Sequence, residues 1–333
     1  MIYPWQLCLS LAGYVAANRA QGRKRYALSL MLEPTFRCNL ACKGCGRIRE
    51  DKEILGRMLS VDECLAAADE SGAPAVCLTG GEPLLHPQVD EIVEGLVARR
   101  RFVFLNTNGL ALAESLGRFR PSRYLSLVFH LDGLRETHDR NAGHDGLFDT
   151  AIAGIRAAKR AGFQVRTNTT VYKGTDWREL QELFRLLSRL EVDGLMVAPA
   201  FGYEKVKADI FLARSEVPKV FAPIYEHRKE FRFYNTPLYL EFLAGKRALS
   251  GCRPWSSPTR NPKGWKRPCY LLTDGYCGTF RELIEETPWQ AYGVGRDRRC
   301  ANCMLHSGWE AAALEEMGKS GRDLWRMIRW NLS

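Results

Sequence analysis

The sequence predicts an α/β protein: a partial (β/α)6 TIM-type barrel followed by a cysteine-rich C-terminal domain. Two observations carry this. Six short β-rich runs alternate with stretches of helical periodicity, and an unusual cysteine or polar cluster follows each of the first four runs. Single helices between strands imply right-handed crossovers and a parallel sheet, and six consecutive units fall short of a closed eightfold barrel. A doubly wound sheet would satisfy the same pattern.

Residues 1–26 come first. Trp5, Leu9, Leu11, Tyr14 and Val15, followed by Arg19, Arg23, Lys24 and Arg25, read as a helix that either docks on the barrel or lies peripherally in a membrane interface. The barrel is expected over 27–215. Its first strand is 27–33; a cysteine loop follows, then a helix opened by the capping box of Ser60 and Glu63. Further strands are expected at 74–78, 102–105, 124–129, 163–169 and 194–197. After the second, third and fourth come Gly80-Gly81-Glu82-Pro83, Thr107-Asn108-Gly109 and His130-Leu131-Asp132-Gly133. Ligands bind at the carboxyl ends of parallel strands, so these loops should assemble one site. Residues 216–333 are expected to form the C-terminal domain.

The chain has 333 residues, 46% hydrophobic and 26% charged, which excludes disordered and fibrous classes. No apolar run approaches the roughly 18 residues of a membrane span, and the basic residues follow the first apolar stretch, where a secretory signal would place them before it. The expected location is cytoplasmic. A net charge of +10 favours acidic partners, but the basic residues are dispersed and no nucleic-acid module accompanies them, so nucleic acid is not an expected partner.

Eleven cysteines without an export signal point to metal or redox chemistry, not to disulfides. Cys38, Cys42 and Cys45, spaced C-x3-C-x2-C on one polar loop, can hold three corners of a [4Fe-4S] cluster and leave the fourth iron open to a small molecule. Zinc would need a fourth ligand and normally uses C-x2-C pairs. In the second loop, Gly80 and Gly81 let backbone carbonyls approach an ammonium group, with Glu82 as the opposing charge. A simple electron carrier would need neither this loop nor the polar strand ends.

The three cysteines followed by Gly80-Gly81-Glu82-Pro83 resemble the radical S-adenosylmethionine superfamily. The resemblance implies that the cofactor's methionyl amine and carboxylate chelate the open iron. One electron, from a flavodoxin or ferredoxin-type donor, then cleaves the sulfonium to methionine and a 5′-deoxyadenosyl radical. It further implies that Asn108, His130 and Asp132 lie against the cofactor's methionine and ribose. Asn168 and the 196–199 segment, with Val197, would hold adenine and ribose.

At finer grain, Met31-Leu32-Glu33-Pro34, the stretch 37–42, the stretch 80–87, the stretch 130–138, Tyr203-Glu204-Lys205, the stretch 240–246 and Pro268-Cys269-Tyr270-Leu271-Leu272 resemble the adenosylhopene synthases of hopanoid biosynthesis. Those enzymes add the deoxyadenosyl radical to the terminal alkene of a triterpene. One position departs from the expected pattern. Asn106 stands where that family is expected to place a cysteine that donates hydrogen to the product radical, and an amide N–H is a far poorer hydrogen-atom donor. Asn106 is therefore a candidate catalytic position and opens a second reading: hydrogen abstraction from a sugar nucleoside, with dehydration or decarboxylation, as in nucleoside-antibiotic pathways. Glu204 and Lys205, beside Tyr203, would then supply an acid–base pair. Cys77 is either an alternative hydrogen donor or a small core residue.

Near the end, Cys252, Cys269, Cys300 and Cys303 follow C-x11-G-x4-C, through Gly264, and then C-x2-C. The pattern resembles the auxiliary-cluster domains of radical enzymes, in which four thiolates saturate a second [4Fe-4S] cluster. Zinc on the same four is the rival reading, and Cys277 could replace one of them. Trp255, Trp265, Tyr270, Tyr276 and Trp289 are expected to pack around the cluster.

Overall fold

The structure, a computed structural model, describes residues 2–46, 52–202, 206 and 208–332. Helix α1 (Trp5–Ala20) precedes β1 (Ser29–Thr35). The chain then alternates: α2 (Lys52–Leu55) and α3 (Val61–Ser71) lead to β2 (Ala75–Gly80), and α4 (Val89–Ala98) leads to β3 (Phe102–Thr107). Next, α5 (Leu112–Ser115) leads to β4 (Leu125–His130), α6 (Arg135–Ala142) and α7 (Leu147–Arg160) to β5 (Gln164–Val171), and α8 (Trp177–Arg189) to β6 (Gly194–Pro199). All six predicted strands are present, parallel and in sequential order. The first begins two residues later than expected, because the ladder to β2 starts at Ser29 opposite Ala75 while Ala27 is packed in the core.

The α3 capping box forms as the sequence predicts. Ser60 Oγ accepts from the Glu63 N–H at 3.2 Å, and Glu63 accepts from the Ser60 N–H at 2.8 Å. Alternation along the strands separates two faces. Leu30, Leu32, Leu78, Leu105, Leu127 and Phe129 are fully buried in the main core. Their neighbours Cys77, Phe104, Asn106, Ser126, Arg166 and Asn168 occupy the opposite, lumen face.

The C-terminal part does not stand apart from the barrel. It contributes α9 (Val217–Glu226), α10 (Pro237–Leu243), β7 (Thr259–Asn261), β8 (Gly264–Pro268), β9 (Thr273–Cys277), α11 (Phe280–Glu286), α12 (His306–Met317) and α13 (Gly321–Leu332). Strand β7 pairs parallel with β1, and β8 and β9 extend the sheet antiparallel, so nine strands run in one order, β6-β5-β4-β3-β2-β1-β7-β8-β9. One hydrophobic cluster includes Leu30 and Leu105 of the barrel together with Leu238, Tyr239, Trp289 and Trp309. At the other edge, residues 232–235 satisfy β6: Leu195 N–H donates to Arg232 O at 2.8 Å and Tyr234 N–H to Leu195 O at 2.6 Å.

Helix α1 crosses the amino end of the barrel. Leu7 packs with Ala75 and Phe102, which begin β2 and β3, and Tyr3 Oη donates to Tyr234 O at 2.6 Å. Only Leu7 and Asn18 of α1 are buried.

Candidate active site

The cysteine loop leaves β1 under tight control from the second loop. Gly81 N–H donates to Thr35 O at 2.9 Å and Glu82 N–H to Arg37 O at 2.7 Å. A Cβ on Gly80 would lie 2.5 Å from Thr35 O, and one on Gly81 would collide with Arg37 O. The two glycines thus let one loop press against the run into Cys38, a role the sequence did not suggest for them.

Glu82 is 1% exposed, and both of its oxygens accept from backbone: Oε1 from Leu84 N–H at 3.1 Å and Oε2 from Asn108 N–H at 2.8 Å. Burial pushes its pKa up to about 7, against the pull of those N–H groups. Asn108 completes the bridge, its Nδ2 donating to Asn39 Oδ1 at 2.8 Å inside the cysteine loop. The loops after β1, β2 and β3 are therefore one hydrogen-bonded unit.

Cys38, Cys42 and Cys45 lie together in that unit. Burial raises the Cys38 thiol to about 11, with Glu82 and Cys45 adding to the rise, and raises Cys42 to about 12, with Cys45 and Cys38 adding. The thiols sense one another's charge, the donor set that a bound cation would convert to thiolates.

The carboxyl ends of β4, β5 and β6 supply the opposite wall. His130, Asn168 and Met196 are in register across the three strands. His130 Nε2 is 2.8 Å from Asp132 Oδ2, and Asp132 Oδ1 accepts from Thr170 N–H at 2.8 Å. Asn168 Oδ1 is buried without a hydrogen-bond partner. An orphaned acceptor at this depth calls for a donor from a bound molecule. Val197 departs from expectation. Its side chain is buried in the outer core, and its N–H and C=O both bond to the Asn235 amide, at 2.8 and 3.0 Å. The lumen position of β6 is Met196, one residue earlier, because side chains alternate along a strand.

Asn106 lies on the lumen face, its Nδ2 donating to Phe104 O at 3.0 Å and Leu78 O at 3.2 Å. Cys77 shares that face, its Sγ 3.5 Å from Ser29 Oγ. Tyr203, Glu204 and Lys205 lie outside the described residues. Tyr172, just beyond β5, was missed by the sequence reading. Its Oη sits 2.8 Å from where a Cβ on Gly44 would stand, and burial, then Asp132, Cys42 and Cys45, drive its pKa upward. Its place one residue past a strand end was the available signal.

A second site is assembled below. Cys252, Cys269, Cys300 and Cys303 line one cavity of about 360 Å³, with Trp255, Trp289 and Trp309 among its walls. Burial raises Cys252 and Cys303, the latter to about 12, and the other cysteines add to each. Cys277 does not line this cavity, which corrects the substitution the sequence allowed: its Sγ accepts from Arg267 Nε at 2.6 Å, and it is buried at the end of β9. Trp265 is likewise elsewhere, packed on Phe280 with ring centres 5.1 Å apart. Among the described residues no three His, Cys, Asp or Glu side chains are placed so that they could hold a metal ion.

Comparison with known proteins accords with this geometry. Residues 32–187 match the model of the radical SAM superfamily, and residues 195–327 match a domain of unknown function, DUF3463. AdoMet-dependent heme synthase of Methanosarcina barkeri is 34% identical over 163 residues, 47% of this chain and 46% of that protein. Pre-heme d1 synthase of Dinoroseobacter shibae is 31% identical over 162 residues, 48% of this chain and 40% of that protein. The chain thus spans less than half the length of these relatives. Streptococcus suis SuiB shares the fold at 15% identity, with a TM-score of 0.64 over 93% of this chain and 79% of that one. The finer likeness to adenosylhopene synthases rests on sequence motifs alone. At the level of the superfamily, residues 32–187 are a radical SAM domain, and the superfamily's cofactors are a [4Fe-4S] cluster and S-adenosylmethionine.

Proposed function

We propose that this chain is a radical SAM enzyme that abstracts hydrogen from a hydroxylated or charged small molecule held in the barrel lumen. The observation that carries the reading is the polarity of that lumen. Asn106 and Asn168 face it from β3 and β5, and Asn168 Oδ1 is buried there without a partner; towards the amino end that α1 and Tyr234 close, the Arg166 guanidinium is bonded to Ser126 and Gln164 and lies 4.6 Å from the Tyr234 ring. Two amides on the lumen face, one with an orphaned oxygen, suit a hydroxylated sugar or nucleoside better than a hydrocarbon.

Cys38, Cys42 and Cys45 would hold the first cluster, and Cys252, Cys269, Cys300 and Cys303 a second. The C-terminal four line one cavity of about 360 Å³, room for a cluster larger than a single tetrahedral ion. When bound, the first cluster supplies one-electron reductive cleavage of S-adenosylmethionine, a source of a hydrogen-abstracting adenosyl radical. The protein's own part is positional. Glu82 and Asn108 lock the three loops, while Gly80, Gly81 and Pro83 shape the second of them. His130, Asp132 and Asn168 offer polar atoms on the facing wall, and Asn106 would orient substrate. Glu204 and Lys205 would move protons. A flavodoxin or ferredoxin-type protein would deliver the electron.

Adenosyl addition to a hopene is the second reading, supported by the motif likeness along the chain. Anaerobic turnover with S-adenosylmethionine and dithionite separates the two. Free 5′-deoxyadenosine and a dehydrated or decarboxylated cytosyl sugar acid support the first; an adenosylated hydrocarbon from diploptene replaces it with the second.

A further inference from the structure

Seven large hydrophobic side chains are exposed among the described residues, and six of them lie on two helices: Trp5 and Leu9 on α1, and Leu324, Trp325, Ile328 and Leu332 on α13. Their spacing is i, i+4 on α1 and i, i+4, i+8 with i+1 on α13, so each set forms a single stripe. Trp5, Leu9, Trp325 and Leu332 are 54%, 61%, 60% and 70% exposed. Barrel packing accounts for none of them, since α1 is anchored through Leu7 and α13 through Met327 and Trp330.

The two helices run antiparallel, tied together near both ends. At one end Ile2 N–H donates to Asn331 O at 3.1 Å and Tyr3 N–H to Asn331 Oδ1 at 2.6 Å. At the other, the Arg19 guanidinium lies 4.0 Å from where a Cβ on Gly318 would stand. The two stripes therefore belong to one face of the molecule.

Among their exposed charged side chains, α1, α13 and the segment after α1 carry cations and no acid. Residues 2–28 contain no Asp or Glu, and Arg19, Arg23, Lys24 and Arg25 are exposed. The acid of α13, Asp323, is buried and ion-paired with Arg247 at 3.0 Å and Arg326 at 3.1 Å, whereas Arg322 and Arg329 are exposed. Among the described residues no helix is long and apolar enough to cross a membrane.

We propose that the α1–α13 face docks on an anionic lipid bilayer, with its Trp, Leu and Ile side chains in the headgroup boundary and its arginines on the lipid phosphates. Exposed tryptophans beside cationic residues suit that boundary, where one end of the ring is apolar and the other wet. A second copy of the chain fits less well: a twofold contact would bring each cationic rim against itself.

The test uses the full-length, cluster-loaded protein and sedimentation with unilamellar vesicles. Phosphatidylglycerol-rich vesicles should carry the protein down at low salt and pure phosphatidylcholine vesicles should not. Trp5→Ser/Trp325→Ser should lower the partition coefficient roughly tenfold or more, and Arg322→Glu/Arg329→Glu should abolish anionic selectivity. All four positions are on the surface, so thermal melts and 5′-deoxyadenosine formation should be unchanged; this separates failure of the docking proposal from failure of the catalytic one. Absence of binding to anionic vesicles, or equal binding by the variants, overturns the proposal. So does a lipid-free dimer in sedimentation velocity that Trp325→Ser dissolves, since it would assign the face to a second copy.

Discussion

The hydroxyl of Tyr172 stands 2.8 Å from the point where any side chain on Gly44 would begin, which ties the end of β5 to the cysteine loop. Gly44→Ala should push the phenol away and disturb the loop between Cys42 and Cys45. Overpacking of this kind costs about 1–3 kcal/mol. The expected outcome is lost iron at the first site with a lower melting temperature, and partial rescue when Tyr172→Phe is added. Equal iron content in Gly44→Ala and wild type would contradict the contact.

Glu82 holds the loops after β2 and β3 through two backbone donors. Glu82→Gln turns one acceptor into an amide NH2 that faces an N–H of Leu84 or Asn108. Leaving a buried donor unsatisfied costs roughly 1–3 kcal/mol. Denaturant melts should register that loss, and S-adenosylmethionine affinity by calorimetry should fall with it. Unchanged stability would mean the carboxylate is not the brace described.

His138 is buried, and its Nδ1 accepts from Asp132 N–H at 3.3 Å. Burial lowers its pKa to about 4. Because the folded value lies below the unfolded value, the unfolded chain binds the proton first. The stabilisation is present above about pH 6.5 and is lost as pH falls towards 4, on the order of 3 kcal/mol in all. His138→Asn, which keeps an acceptor for Asp132, should flatten the stability profile over that window. A profile as steep as wild type would assign the acid sensitivity elsewhere.

The two cysteine sites should be separable. Cys42→Ala should abolish cleavage of S-adenosylmethionine, whereas Cys300→Ala should leave the first site's iron in place. Gly308→Ala offers a test that keeps every thiol, because its Cβ would collide with Cys252 Sγ. Iron analysis and electron paramagnetic resonance of Gly308→Ala should show loss at the C-terminal site alone. Retained cleavage by Cys42→Ala would refute the first assignment.

The legible parts of this protein were local. Apolar alternation marked all six barrel strands, and the Ser60–Glu63 capping box appeared where its spacing placed it. The strand-end rule gathered Cys38, Glu82, Asn108 and His130 at one end of the sheet. Phase along a strand is harder to read: the resemblance points to Val197, whereas Met196, one residue away in a period of two, holds the lumen position. Spacing also could not say which of five late cysteines belong together. Cys277 was excluded by the turn into β9, which carries it to Arg267 and away from the cavity.

What the sequence determined by itself was the set of chemically equipped loops and their order, because hydrophobic period, turn residues and cysteine spacing are properties of neighbours in the chain. Only the tertiary structure decided that β7 would lie against β1 and merge the C-terminal part into one sheet, that Tyr172 would reach Gly44, and that α1 and α13 would pool their exposed apolar stripes into one face. Those relationships join residues from about 130 to more than 300 positions apart. The free energy that selects them comes from burial of shared surface, which no local pattern records.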